Sequence, residues 1–141
     1  GMIVACPNCN GLNRLPAEKP ALHANCGKCK QALFNGLPLE LTSTNFAAHA
    51  SKAELPLVVD FWASWCGPCK NFAPVFTQAA RQLEPQFRFG KINTEQQQQL
   101  AAQFNIRSIP TIMLFKQGKV LAQQAGAMPG QAFNQWLSQH K

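Results

Sequence analysis

The chain has 141 residues, 46% of them hydrophobic, and a formal net charge of +7. That length suits one ordinary domain, or one compact domain with a small appendage, and the hydrophobic share is enough for a packed core. No apolar run reaches the roughly 18 residues of a membrane span and no block of about five basic residues occurs, so neither membrane nor nucleic acid is expected as a partner. Gly1 ahead of Met2 reads as a cloning remnant. The stretch from Met2 to Leu15 lacks the basic start and apolar block of a signal peptide, so a cytoplasmic location is expected. Six cysteines then need a purpose. In a reducing cytosol they suit metal ligands or redox thiols better than structural disulfides. Four thiolates on one Zn²⁺ would also bring the net charge down to about +5.

Residues 2–36 come first. They are rich in Asn, Gly, Pro and Lys and hold few large apolar side chains beyond Ile3, Leu12, Leu15, Leu22, Leu33 and Phe34. So short a segment folds only with a staple. Phe34-Asn35-Gly36-Leu37-Pro38 reads as its exit, and residues 37–141 read as a second domain. Leu39–Leu41 is expected to be a short strand. A helix capped by Ser43 or Thr44 follows, through Ala50. Leu57–Ala63 is a nearly continuous apolar run, as in a central strand covered on both faces. Cys66 to about Leu83 is a helix kinked by Pro74. Phe87–Asn93 is a strand. Thr94 and Gln97 match a capping box for a helix reaching Phe104. Thr111–Lys116 and Val120–Gly126 form a hairpin around Gln117-Gly118-Lys119. Pro129 opens a last helix with Phe133, Trp136 and Leu137 on one face. The order, βαβαβ then αββα, predicts an α/β fold with a mixed central sheet and helices on both sides.

The three Cys-x-x-Cys pairs differ in setting. Cys6-Pro-Asn-Cys9 and Cys26-Gly-Lys-Cys29 are separated by sixteen residues, the spacing of a four-cysteine zinc ribbon. Four protein ligands leave no open position, so such a site is structural, or redox-sensitive where strong oxidants convert its thiolates to disulfides and eject the metal under oxidative stress. Two disulfides or free thiols are the plainer alternative, and iron suits four sulfurs as well. Cys66-Gly67-Pro68-Cys69 instead follows a buried strand and opens a helix. Unpaired amides and the helix dipole there stabilise a thiolate at Cys66. Cys69 lies one turn on, along the same face, and can close a disulfide with it. Gly67 is expected to let the backbone bend and Pro68 to preset the first turn. A third metal knuckle would need further ligands that the sequence lacks.

Asp60 is the only aspartate and sits among Val58, Val59, Phe61 and Trp62. Burial there should raise its pKa and make it a proton acceptor near neutral pH. Trp65 reads either as part of a docking surface or as a core aromatic, and Trp62 as core. His23, His49 and His140 have no telling neighbours and read as surface histidines.

Trp65-Cys66-Gly67-Pro68-Cys69-Lys70, preceded by Val59-Asp60-Phe61-Trp62-Ala63, resembles the active-site signature of the thioredoxin family. Ile109-Pro110-Thr111 resembles its cis-proline segment, and Lys91-Ile92-Asn93 and Gly126 fall at matching places. Residues 39–141 carry the likeness. The added ribbon resembles the zinc-containing thioredoxin 2 branch, bacterial and cytoplasmic. Ser108 and Glu95 depart from the usual glycine and aspartate.

The resemblance implies a thioredoxin fold with a small N-terminal zinc ribbon. It also implies that Cys66 attacks disulfide-containing proteins and Cys69 resolves the mixed disulfide. Asp60 would assist Cys69, with Lys91 nearby. Trp65, Gly67, Pro68, Ile109, cis-Pro110 and Gly126 would line the substrate site. One structural Zn²⁺, no bound organic cofactor, and recycling by an NADPH-fed flavoprotein thioredoxin reductase complete the implied picture. A ribbon-based adaptor and an oxidase or isomerase are the competing readings.

Overall fold

Strand β1 (Met2–Ala5) pairs antiparallel with β2 (Leu12–Leu15), and the loop between them carries Cys6 and Cys9. A 3₁₀ turn, Ala21–His23, leads to the second cysteine pair. The rest of the ribbon is held by short backbone bonds, such as Leu33 N–H to Ala24 O at 3.0 Å. The computed structural model describes residues 1–18 and 20–141.

Beyond the ribbon stands one five-stranded sheet in the order β3-β5-β4-β6-β7. β3 (Leu39–Glu40), β5 (Arg88–Asn93) and β4 (Leu57–Trp62) run parallel. β6 (Thr111–Lys116) and β7 (Lys119–Ala125) complete it antiparallel. β4 is buried on both faces because each face has its own cover. Val58 packs with Phe72, Phe76, Phe133 and Leu137 of α1 (Gly67–Leu83) and α3 (Gly130–Ser138). Val59 and Phe61 pack with Phe46, Ala50 and Leu100, from the π-type turn Ala48–Lys52, the residues before it, and α2 (Gln98–Gln103). The chain has ten phenylalanines and no tyrosine, so this aromatic core carries no hydroxyl that would need a buried partner. Edge contacts such as Phe72–Phe133 and Phe104–Phe115, both at 5.1 Å, knit it together.

Several local expectations are corrected. The first helix is not capped by Ser43 or Thr44. Asn45 Oδ1 accepts the Thr42 N–H at 2.8 Å and closes a turn there, and the chain then passes into the π-type turn. The Thr94–Gln97 capping box does not form, because Thr94 Oγ1 donates to Trp62 O and Asn93 Oδ1 accepts the Glu95 N–H instead. The hairpin turn holds two residues, not three. Gln117 (φ 48°) and Gly118 (φ 86°) both adopt positive φ, as the tight turn between twisted strands requires. His49 is buried, not exposed: its Nε2 lies 3.0 Å from Asn10 Oδ1, and burial lowers its pKa to about 4.

The ribbon is fastened to the sheet by polar groups no sequence pattern announced. Ile3 N–H donates to Glu54 Oε1 at 2.7 Å, and Glu54 N–H returns a bond to Ile3 O. Glu84, just past α1, accepts the Gly36 N–H at 2.8 Å. Arg88, 2% exposed, donates to Glu84 at 3.0 Å and to Ala5 O at 2.9 Å, and its guanidinium sits 4.6 Å from the Phe34 ring centroid. Breaking a buried pair by removing one partner costs about 3–5 kcal/mol. Arg88→Met should therefore lower the urea midpoint sharply, and adding Glu84→Gln should recover part of the loss. A single variant as stable as the parent would show that the pair is dispensable.

All these contacts gather at one end of the sheet. Arg88 pairs with Leu57, at the start of β4, whereas Cys66 follows Trp62 at its other end. Among the described residues no helix is long and apolar enough to cross a membrane.

Candidate functional site

Cys66 is the N-cap of α1, in extended backbone, and its sulfur accepts the Cys69 N–H at 3.1 Å. The two cysteines form a disulfide with Cα atoms 5.2 Å apart. Cys66 is positioned by β4, whose buried run ends just before it, and by the helix that starts at Gly67. The Cys69 N–H and the positive end of the helix dipole face its sulfur, an environment that favours negative charge there. Pro68 occupies the first turn, where the missing N–H has no intrahelical partner to lose. Gly67 opens α1 directly after the extended Cys66, without a left-handed backbone. A side chain there would meet nothing within 4 Å, while Cys66 itself is 3% exposed.

Cys66 Sγ lies 3.7 Å from the Ile109 carbonyl, and the Ile109–Pro110 peptide is cis. Gly126 (φ 96°) donates to Pro110 O at 2.8 Å from a backbone shape that favours glycine. Trp65 is 68% exposed, which removes the core-aromatic alternative. Trp62 packs beneath the disulfide and is only partly buried.

Asp60 shares its sheet face with Val58, the face that α1 covers, and is fully buried. Neither carboxylate oxygen has a hydrogen-bond partner among the described residues. Burial raises its pKa from 3.8 to about 7, and the nearby Lys91 charge opposes that rise. Lys91 pairs with Asp60 across β5–β4 and holds its Nζ 4.8 Å from the Trp62 ring centroid. The geometry offers a disulfide that can open at a helix N-terminus and a carboxyl that can carry a proton within the fold. Glu95, which stands where the family usually has aspartate, takes a bridging position. Its Oε1 accepts both the Ser64 N–H, at 3.2 Å, and the Ser64 hydroxyl, at 2.9 Å, and so ties down the turn before Trp65.

The other four cysteines converge at the far end of the sheet. Their sulfurs lie within 4.8 Å of one another, with Cys6–Cys29 at 3.6 Å and Cys9–Cys26 at 3.7 Å. A tetrahedral ion with metal–sulfur bonds of about 2.3 Å would set its sulfurs roughly 3.8 Å apart, so the donor set fits zinc. Both knuckles are built alike. Cys6 N–H bonds Gly11 O and Cys26 N–H bonds Gln31 O, and each turn leaves through a left-handed residue, Asn10 or Lys30. Burial pushes the Cys6 thiol up to about 11. The Cys29 N–H, then the Asn13 amide and the Lys28 N–H, hold the Cys26 thiol down at about 6.

Exchange of one disulfide for another is served by a helix-capping sulfur, a partner cysteine a turn away and somewhere for a proton to go. That sets the class: a thiol–disulfide oxidoreductase. The chain belongs to the thioredoxin family, with residues 38–139 matching the family described as thioredoxin. Residues 5–31 match a second family, described as thioredoxin 2, N-terminal, a zinc ribbon. Over 138 residues the chain is 46% identical to thioredoxin C-3 of Corynebacterium nephridii, covering 98% of this chain and 94% of that protein. It is 41% identical over 101 residues to thioredoxin 1 of Nostoc sp., covering 72% of this chain and 94% of that protein. It is 38% identical over 102 residues to the thioredoxin of Haemophilus influenzae, covering 72% and 95%. The fold is thus the expected mixed α/β thioredoxin fold with a cysteine-clustered ribbon, and the activity is dithiol–disulfide exchange.

Proposed function

We propose that the chain works as a protein-disulfide reductase in the cytoplasm, with Cys66 as nucleophile and Cys69 as resolving thiol. The observation that carries this is the capping geometry of Cys66, whose sulfur faces the Cys69 N–H and the open end of α1. In the reduced chain the Cys66 thiolate attacks a substrate disulfide. One S–S bond forms, the substrate's own breaks, and the departing sulfur takes up a proton. Cys69 passes its proton to Asp60 and attacks Cys66. The second substrate sulfur leaves reduced, and the Cys66–Cys69 disulfide remains.

Trp65, Gly67, Pro68 and Ile109 form the surface a substrate strand meets, with Pro110 and Gly126 shaping its backbone. Lys91 biases the Asp60 charge from its side. Disulfide-containing proteins are the substrates, and a flavoprotein thioredoxin reductase fed by NADPH restores the dithiol. Residues 37–141 carry this chemistry, and residues 2–36 form a ribbon holding one Zn²⁺ through Cys6, Cys9, Cys26 and Cys29. When bound, zinc supplies folding free energy to that ribbon.

Reduction of insulin disulfides, followed with dithiol and then with reductase and NADPH, tests the reading. Rapid turnover in both assays is expected. Absence of turnover with dithiol would favour the adaptor reading instead. Metal analysis of the same sample should give one zinc per chain. Chelation should unfold residues 2–36 and lower the urea midpoint of the α/β fold, because Arg88 then loses Ala5 and Phe34. An unchanged midpoint would show that the seam carries no stability.

A further inference from the structure

The four ribbon sulfurs are not equivalent in the bonds they receive. Cys6 Sγ accepts the Asn8 and Cys9 N–H groups at 3.3 and 3.4 Å. Cys26 Sγ accepts the Lys28 N–H at 3.3 Å and the Asn13 side-chain amide at 3.4 Å. Cys29 Sγ accepts the Asn8 side-chain amide at 3.5 Å. The Asn13 amide is fixed by its other contacts, because its nitrogen also donates to Gly11 O and its oxygen accepts the Gly27 N–H at 2.8 Å. Cys9 stands apart. Among the described residues no N–H donates to its sulfur, and its only sulfur contact in hydrogen-bond range is the neighbouring Cys26 Sγ. It is also the one exposed member of the set, beside buried Cys6 and Cys26 and half-buried Cys29.

Two physical effects then point the same way. A thiolate that accepts N–H bonds has part of its lone-pair density engaged and reacts less readily with soft electrophiles. A thiolate without such bonds keeps its full nucleophilicity. Access decides the rest, since exposed thiolates are modified before buried ones. We infer that Cys9 is the reactive gate of the ribbon: soft electrophiles attack its sulfur first, and the site opens from that corner. Asn8 and Asn13 act as positioning residues that shield Cys29 and Cys26. The inference rests on the ribbon being a metal site, but not on the role proposed for Cys66.

The test uses the full metal-loaded chain with Cys66 and Cys69 oxidised, so that only the ribbon thiolates can react. One equivalent of iodoacetamide is added. Attack forms a carbon–sulfur bond, breaks the carbon–iodine bond and releases iodide. Peptide mass spectrometry gives the order of labelling, and a chromogenic chelator reports metal release. Cys9 should label at least about tenfold faster than the other three, on the 10–100-fold scale of outer-shell contacts, with metal release in step. Asn13→Asp keeps the acceptor for Gly27 and removes the amide donor, so Cys26 labelling should rise. Asn8→Ala, at an exposed position, should raise Cys29 labelling. Uniform labelling, or another cysteine reacting first, would overturn the inference. A chain that carries no metal as purified would instead defeat the metal-site reading beneath it.

Discussion

Cys66→Ser will leave the chain unable to reduce a protein disulfide, while Cys69→Ser will attack once and stop. The two cysteines look symmetric in the sequence but not in the fold. Cys66 caps α1 and receives the Cys69 N–H, and the residues on either side of it, Trp65 and Gly67, are exposed. Cys69 lies one turn inside the helix, and because both cysteines are 3% exposed it is the cap position, not burial, that separates them. Removing an enzyme's nucleophile costs about 10³-fold or more in turnover, and a loss of at least that size is expected for Cys66→Ser. Without Cys69 no thiolate remains to attack Cys66, so the mixed disulfide with substrate should accumulate one-to-one. Mass spectrometry under non-reducing conditions will count it. If Cys66→Ser turned over and Cys69→Ser did not, the two roles would have to be exchanged.

Asp60→Asn will make a slower protein and a more stable one. Asp60 is buried, has no hydrogen-bond partner among the described residues, and is pushed by burial from 3.8 to a pKa of about 7. Between those two pH values the folded chain keeps a proton that the unfolded chain has lost. Stability therefore falls as pH rises from about 4 towards 7, and the deficit persists above. At about 1.4 kcal/mol for each tenfold change in proton affinity, the deficit at pH 8 comes to about 4 kcal/mol. Asparagine keeps the shape and drops the charge. Its advantage should be largest at pH 8 and vanish near pH 4. The same change removes the acceptor proposed for the Cys69 proton, so release of the mixed disulfide should slow by roughly 10–1,000-fold, near general-base contributions of about 10²–10⁴. Denaturant midpoints at pH 4 and pH 8, with single-turnover release rates, decide both halves. An asparagine variant less stable than the parent at pH 8 would make Asp60 a satisfied structural carboxylate. An unchanged release rate would take it out of the mechanism.

The elements that a strong period or spacing encodes were legible without coordinates. Leu57–Trp62 reads as a two-sided strand because each of its faces meets a different helical layer. The cysteine spacings read as two knuckles because a tetrahedron of sulfurs leaves few other arrangements. Short polar choices were not legible. Thr94 looks like a helix cap but spends its hydroxyl on Trp62 O, because β5 runs on beside the end of β4 and brings that carbonyl within reach. His49 looks like a surface histidine because its partner, Asn10, lies 39 residues away in the ribbon. Arg88 and Glu84 meet the ribbon residues Ala5, Phe34 and Gly36. Only docking of the ribbon buries them, and nothing local in the sequence says where the ribbon docks.

The placement of that ribbon also fixes a kinetic order. Its contacts fall at the start of β4 and the end of α1, while the redox pair sits at the opposite ends of both. Six residues of strand span about 20 Å and seventeen of helix about 25 Å, far beyond the reach of a sulfur–sulfur encounter. A Cys66 thiolate therefore cannot exchange with the ribbon sulfurs of its own chain. Any mixed disulfide between the two centres joins two molecules and forms at a rate that rises with the square of protein concentration, so dilution slows its formation while a thiol is needed to cleave it.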